Sequence, residues 1–197
     1  MRKVIVTEWL SLDGVAQAPG TPDEDTSGGF RHGGWHLPYF DDISRKWVVD
    51  NLTGAGGFLF GRRTYEAFAA YWPHAGGEER VIADPLNSKP KYVASTTLTG
   101  PLPWPGSTVL RGDVVGAVRA LRQEDGGALL AIGSTRLVHT LLEHDLVDEL
   151  RLMIDPLLLG GGKRAFADHG DPRELRLVDC QATTTGAILA TYARVRD

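Results

Sequence analysis

The sequence predicts an α/β fold built on a mixed, mainly parallel sheet that finishes with an antiparallel pair. Three observations carry this. Val4 to Leu10 is a β-branched run with apolar residues on both faces, as a covered central strand requires. From Phe40 to Leu142, short apolar strands alternate with stretches of helical period, the pattern of a parallel sheet wrapped by helices. Beyond Glu149 the helical period disappears, and two strand patterns are joined at Thr183–Gly186 by a hairpin turn.

The elements follow in order. Asp13-Gly14 turns the chain out of the first strand into an aperiodic stretch, roughly Val15 to Leu37, rich in Gly, Pro, Asp and Ser. So long a loop in a compact domain is commonly a lid or binding loop. Phe40, Ile43, Trp47 and Val48 share a helical face, with Asp41 and Asp42 at its favourable N-terminal end. Gly56-Gly57 is expected to end that helix, Phe58–Phe60 to be a short strand, and a second helix to run from Thr64 to Trp72-Pro73. Lys91–Ser95 and Ser107–Leu110 read as strands, and Asp113 caps a helix carrying Val114, Val118 and Leu121. Ala128–Ile132 is a buried strand, followed by a helix with Leu137, Val138, Leu141 and Leu142. Leu150, Leu152 and Ile154 alternate with Glu149, Arg151 and Met153. After Gly160-Gly161-Gly162 come the late strands, near 175–180 and 187–195.

At 197 residues the chain is long enough for one well-filled domain and short for two, so residues 1–197 are expected to form a single domain. A formal charge of −4 and scattered basic residues give no footprint for nucleic acid or an anionic membrane. No stretch approaches the ~20 apolar residues of a membrane span, and no signal peptide opens the chain, so the sequence reads as cytoplasmic. The single cysteine, Cys180, excludes an internal disulfide framework, and its apolar alternating surroundings predict a buried, inert thiol. His139 and His144 lie on different helix faces, and no metal site is expected.

Phosphate and hydrolase signatures fail: no GxGxxG follows a strand, Gly162-Lys163 is no P-loop, and no GxSxG elbow exists. What remains is a set of strand-to-helix junctions. Gly61-Arg62-Arg63-Thr64 brings free amides, a hydroxyl and two guanidiniums together, Ser95-Thr96-Thr97 closes the next strand, and Gly133-Ser134-Thr135-Arg136 closes a third. Taken singly, each is more simply a helix cap. Along one edge of a parallel sheet they suit an extended anionic ligand with two or more phosphates.

Several strings then resemble one family. Thr7-Glu8-Trp9-Leu10-Ser11-Leu12-Asp13-Gly14 resembles the opening of the dihydrofolate-reductase-like superfamily, especially the C-terminal reductase domain of RibD-type riboflavin enzymes. Gly61 to Glu66 resembles its cofactor signature, Pro90 to Ser95 its third strand, and Ile132 to Leu137 its pyrophosphate loop. Leu146 to Leu150 and Pro156 to Gly162 resemble the C-terminal part of the RibD branch. The ordered set spans nearly the whole chain, although Ser134 and Thr135 stand where the family loop has further glycines.

The resemblance implies a dihydrofolate-reductase-like three-layer fold and an NADPH-dependent oxidoreductase that passes a hydride to a small heterocycle. The likeness is to a reductase of 5-amino-6-(5-phosphoribosylamino)uracil or of dihydrofolate, without the accompanying deaminase domain. It implies Arg62, Arg63 and Thr64 on the cofactor phosphates and Ser95, Thr96 and Arg111 around the 2′-phosphate. Gly133, Ser134, Thr135 and Arg136 would cover the pyrophosphate, with the backbone of Trp9 and Ala16 at the nicotinamide. For proton transfer it offers Asp41 or Asp42, with helix capping as the alternative, and Asp13, whose alternative is turn formation. Trp35, Tyr39 and Trp72 could wall a flat substrate. A homodimer is also implied, with Leu157-Leu158-Leu159 available to bury against a partner. Two other classes stay open: a nucleotide-binding module without turnover, and an oligomeric scaffold whose junctions are only caps.

Overall fold

A computed structural model of the chain describes residues 1–195. Val4–Ser11 forms β1, and the chain then crosses the long loop, which contains two short 3-10 turns, to α1 at Asp42–Gly54. β2 (Ala55–Gly61) leads directly into α2 (Arg62–Tyr71), and α3 (Arg80–Ser88) precedes β3 (Lys91–Ala94) and β4 (Ser107–Leu110). α4 (Val114–Gln123), β5 (Ala128–Ile132), α5 (Thr135–Glu143) and β6 (Glu149–Asp155) follow, and the hairpin of β7 (Leu175–Ala182) and β8 (Ile188–Arg194) closes the fold.

All eight strands join one sheet in the order β4-β3-β2-β5-β1-β6-β8-β7. The first six run parallel, and β8 and β7 are antiparallel. β1 is interior, paired with β5 through Val4↔Leu129 and with β6 through Ile5↔Glu149 to Ser11↔Asp155. Alternation along the strands feeds two cores. Val4, Val6, Leu59, Leu129 and Leu150 pack with Val118 and Leu121 of α4 and Leu137, Val138 and Leu141 of α5. Ile5, Phe58, Phe60, Leu130 and Met153 pack against α1, α2 and α3 through Val48, Leu52, Tyr65, Ile82 and Leu86. A covered sheet with helices on both faces is the three-layer arrangement that parallel strands demand.

A buried polar clamp fixes the N-terminal end of β1. The Asp148 carboxylate accepts the Val4 amide at 2.8 Å and meets the Arg122 guanidinium at 2.9 Å, and Arg122 also donates to the Leu146 carbonyl. At 6% exposure Arg122 relies on these partners, since an unpaired buried charge costs several kcal/mol.

Three expectations are corrected. Gly56-Gly57 does not end α1 but belongs to β2, because the backbone of Gly56 lies against Gly127; a Cβ there would stand 2.6 Å from the Gly127 amide nitrogen. α3 was not anticipated, for Pro85 interrupts the sequence pattern, although Ile82, Ala83 and Leu86 bury one face. Cys180 is exposed rather than buried, since β7 is an edge strand with every residue exposed. No helix among the described residues is long and apolar enough to cross a membrane.

Candidate functional site

Because six neighbouring strands run in one direction, their C-terminal ends share one edge of the sheet, about 24 Å long at ~4.8 Å per strand. From β4 inward that edge carries Arg111, then Ser95 and Thr96 after β3, Gly61–Thr64 after β2, and Gly133–Arg136 after β5. It continues with the β1 exit at Trp9 to Ala16. The junctions expected from the sequence are therefore collinear.

Two of them are stitched together. The Gly61 amide donates to Ser134 Oγ at 2.8 Å, that hydroxyl donates to Thr64 Oγ1 at 2.9 Å, and Thr64 Oγ1 donates to the Gly133 carbonyl at 3.0 Å. Gly133 takes φ +59°, a turn that favours glycine, and a Cβ at Gly61 would press on Ser134 at 3.3 Å. The starts of α2 and α5 are thus held side by side, and the first amides of each helix have no intrahelical acceptor. Ser95 is committed to its own turn, accepting from the Thr97 and Leu98 amides, whereas Thr96 is exposed. Arg111 and Arg136 are exposed and have no carboxylate partner among the described residues. Arg62 pairs with Glu66 at 2.8 Å and Arg63 with Asp25 at 3.7 Å, both on the surface. Donors of this kind fit a multiply charged phosphate ligand.

The long loop reaches over this edge and is latched there. Gln17 organises it, donating to the Asp25 and Ser27 carbonyls at 2.9 Å while its own oxygen accepts the Lys163 amide. Trp35, 7% exposed, donates to the Gln17 carbonyl, so it anchors the loop rather than forming a free wall. Lys163 holds the Asp25 carboxylate from the glycine loop, and Arg63 approaches Asp25 from α2. The acid beside Arg63 thus comes from a distant segment, which the composition of the junction did not reveal. Beside the latch, residues 27–32 and 159–163 line a cleft of ≈ 610 Å³. Trp72 packs on Phe68 and Tyr71, and Tyr39 lies in the second core.

The carboxylates offered for proton transfer have the following surroundings. Asp41 is the N-cap of α1, accepting from the Ser44 amide and hydroxyl and from the Thr184 amide and hydroxyl. The Thr184 hydroxyl, with these other donors, holds its carboxyl well below the usual range. Asp42 is exposed in the first turn of α1. Asp13 accepts the Ser11 hydroxyl and the Leu159 and Gly160 amides, and the Ser11 bond above all keeps it at about 2. Carboxylates held ionised by several donors are poor proton donors near neutrality. Asp41 and Asp13 are therefore a helix cap and a loop clamp.

Three titratable groups that the sequence pattern does not single out, Glu8, His36 and Asp155, are deeply buried at the same edge. Glu8, 1% exposed on β1, faces the α5 side with Val6 and Leu10, and its Oε1 has no partner among the described residues. Burial first, and then the nearby Glu24 carboxylate, push it from 4.5 to about 8, opposed by the Ser134 amide. On the opposite face His36 Nδ1 lies 2.8 Å from Asp155 Oδ2, at the end of β6. Asp155 is fully buried; burial raises its pKa and His36 pulls it back. All three are hidden by context. Glu8 is the one charge in an apolar run, and Asp155 lies 119 residues from its partner. Among the described residues no cluster of three or more side chains could hold a metal.

A family model, the RibD C-terminal domain, matches residues 2–189. The chain belongs to the RibD C-terminal domain family. A curated relative from Bacillus subtilis (strain 168), the uncharacterised protein YyaP, is 27% identical over 147 residues, covering 73% of this chain and 77% of its own. Solved structures share the fold. A riboflavin biosynthesis protein, so described provisionally, from Shewanella sp. PV-4 has a TM-score of 0.69 at 22% identity, covering 98% of this chain and 99% of the other. A pyrimidine reductase-like protein from Corynebacterium diphtheriae gives 0.66 at 15%, covering 100% and 93%. Dihydrofolate reductase from Enterococcus faecalis, complexed with NADP(H) and RAB-propyl, gives 0.63 at 14%, covering 98% and 96%. The mixed sheet with its antiparallel C-terminal pair is thus the dihydrofolate-reductase-like fold expected of a RibD C-terminal domain.

The buried Glu8 makes a stability prediction for this RibD-type domain. Its folded pKa lies above the unfolded value, so its stabilising effect is complete below pH 4.5 and lost as pH rises towards 8. Glu8→Gln, which stays neutral, should raise Tm by several degrees at pH 8.5 and change it little at pH 4.5. Thermal unfolding at both pH values checks this, and an equal shift at the two would count against a titrating Glu8.

Proposed function

We propose that residues 1–197 form a single-domain, cytoplasmic, NADPH-dependent oxidoreductase that transfers a hydride to a small heterocycle. The favoured acceptors are a pteridine such as dihydrofolate or a riboflavin-precursor pyrimidine such as 5-amino-6-(5-phosphoribosylamino)uracil. The observation that carries this reading is the collinear row of donors from Arg111 through Thr96 and the α2 and α5 starts to the β1 exit, in a chain of this family. Arg111 and Thr96 would take the 2′-phosphate, with Ser95 holding the turn that presents Thr96, and Arg62, Arg63, Thr64 and Gly133–Arg136 would take the other phosphates. The Trp9 and Ala16 backbone would lie at the nicotinamide. Bound there, the dinucleotide would supply the hydride; the protein orients both reactants and excludes water, a task suited to the latched loop. Arg62 and Arg63 are free to change partner, because exposed ion pairs such as those with Glu66 and Asp25 are weak.

We further propose a homodimer, in which a second copy covers β7. This edge strand exposes Leu177 at 51% and Val178 at 53%, with Leu175 beside them and, among the described residues, no strand on its outer side. Natural edges are normally shielded against such pairing. Leu158 is 74% exposed on the glycine loop and would extend the contact. Sedimentation should give a dimer at micromolar concentration, and a monomer for Leu177→Asp with Val178→Asp; a monomeric wild type would refute this.

Cofactor choice tests the central reading. A 2′-phosphate brings nearly two charges to Arg111 and Thr96, and each charge-assisted hydrogen bond contributes about 1.5–3 kcal/mol. NADPH should therefore bind at least about tenfold more tightly than NADH. Arg111→Ala should narrow the gap, and Arg63→Ala should weaken both dinucleotides. Fluorescence titration measures the affinities, and NADPH oxidation with 7,8-dihydrofolate or the phosphoribosylaminouracil measures turnover. Binding without oxidation of either acceptor would favour a nucleotide-binding module, and equal affinity for NADH and NADPH would overturn the cofactor assignment.

A further inference from the structure

His36 and Asp155 form a buried polar couple where an apolar contact would serve folding as well. His36 is 6% exposed and Asp155 fully buried. The imidazole meets Trp9 edge-on at 6.0 Å, Trp35 at 6.4 Å and Phe40 at 5.4 Å between ring centroids. Asp155 ends β6 in register with Ser11 at the exit of β1, on the same sheet face as Trp9. The Asp155 bond occupies Nδ1, which leaves Nε2 as the ring nitrogen without a hydrogen bond among the described residues. Asp155 Oδ1 and the Trp9 Nε1 donor are also buried without partners among them. Unsatisfied polar atoms cost about 1–3 kcal/mol each, so a purely structural couple would be expected to satisfy them. Of the acids described above, Asp13 and Asp41 are held ionised, and Glu8 faces the opposite core.

We propose that His36 is the proton donor of the reduction and that Asp155 positions it. This rests on the reductase reading above. That chemistry needs one proton for each hydride, which the dihydronicotinamide gives up as it is oxidised. When the carbon of a C=N acceptor gains the hydride, the π pair moves to nitrogen. That nitrogen takes the proton from His36 Nε2, leaving a neutral imidazole that solvent reprotonates. Asp155 holds the Nδ1–H tautomer, so that Nε2 faces the acceptor in both protonation states. The same transfer serves a C=O group. The charged groups bearing on His36 are Asp155 from β6 and Glu24 from the long loop.

The test pairs a spectroscopic readout with kinetics. In ¹⁵N-histidine-labelled protein, the His36 titration should lie at least about half a unit lower with NADP⁺ bound than with NADPH, because the oxidised ring places a positive charge near Nε2. In the free protein at high pH, Asp155→Asn should move neutral His36 from the Nδ1–H towards the Nε2–H tautomer, read from its ring ¹⁵N shifts. His36→Gln should bind NADPH within twofold of wild type. With 7,8-dihydrofolate or 5-amino-6-(5-phosphoribosylamino)uracil, whichever the wild type reduces, it should lose about 100-fold or more in kcat. It should also lose the wild-type decline in kcat with rising pH. The NMR arm decides alone where neither acceptor is reduced. A His36 titration indifferent to the cofactor's oxidation state, or a wild-type pH profile in His36→Gln, would overturn the proposal while leaving the reductase reading intact. Failure of the wild type to bind NADPH would overturn both.

Discussion

The parallel pairing of β1 on both sides is the constraint from which the rest of the molecule follows. β1 is hydrogen-bonded to β5 through four residues and to β6 through seven, both parallel, and β2, β3 and β4 continue in the same direction. Parallel neighbours need crossovers, so helices must cover both faces, and every strand must leave the sheet at the same edge. That edge gathers Arg111, Thr96, Arg63, Ser134, Trp9 and Asp155 from segments scattered over the sequence. An antiparallel sheet of the same residues would send alternate ends to opposite sides. The antiparallel pair appears only at β8 and β7, outside the candidate site.

On that frame the Ser134 hydroxyl has an outsized part. It accepts the Gly61 amide and reaches Thr64, so two helix starts share one small group. A buried amide without such a partner costs about 1–3 kcal/mol, and the loss would also release the spacing between the two helix starts. Asp25 does the complementary job from above. Its bonds to Lys163 and Ser27 and its approach to Arg63 bring the long loop onto the edge. A group of such modest exposed contacts suits a segment that closes over a ligand and opens again.

Much of this was legible in the sequence, because periodicity reports burial. The run Val4 to Leu10, the turn at Thr183–Gly186 and the junctions at Gly61–Thr64 and Gly133–Arg136 all stand where their patterns placed them. What was not legible was long-range or context-dependent. Gly56 looks like a helix stop in the sequence because its contact with Gly127 lies 71 positions away and is a matter of backbone packing. The donor that Thr184 brings to Asp41 arrives from the C-terminal hairpin, so nothing near Asp41 in the sequence announces it. Glu8 and the His36–Asp155 couple carry no local signal at all. Their character comes from burial and from partners that only the folded sheet supplies.

The central claim is that the C-terminal edge of the parallel strands is a dinucleotide site whose reactive end lies beside Trp9 and His36. A crystal structure of the protein with NADPH tests it most directly. The expected complex has an extended cofactor with its 2′-phosphate at Arg111 and Thr96, its pyrophosphate between the starts of α2 and α5, and its nicotinamide at Trp9 and Ala16 with one face open towards His36. Dinucleotide bound elsewhere, or lying with its nicotinamide at the β4 end, would contradict it.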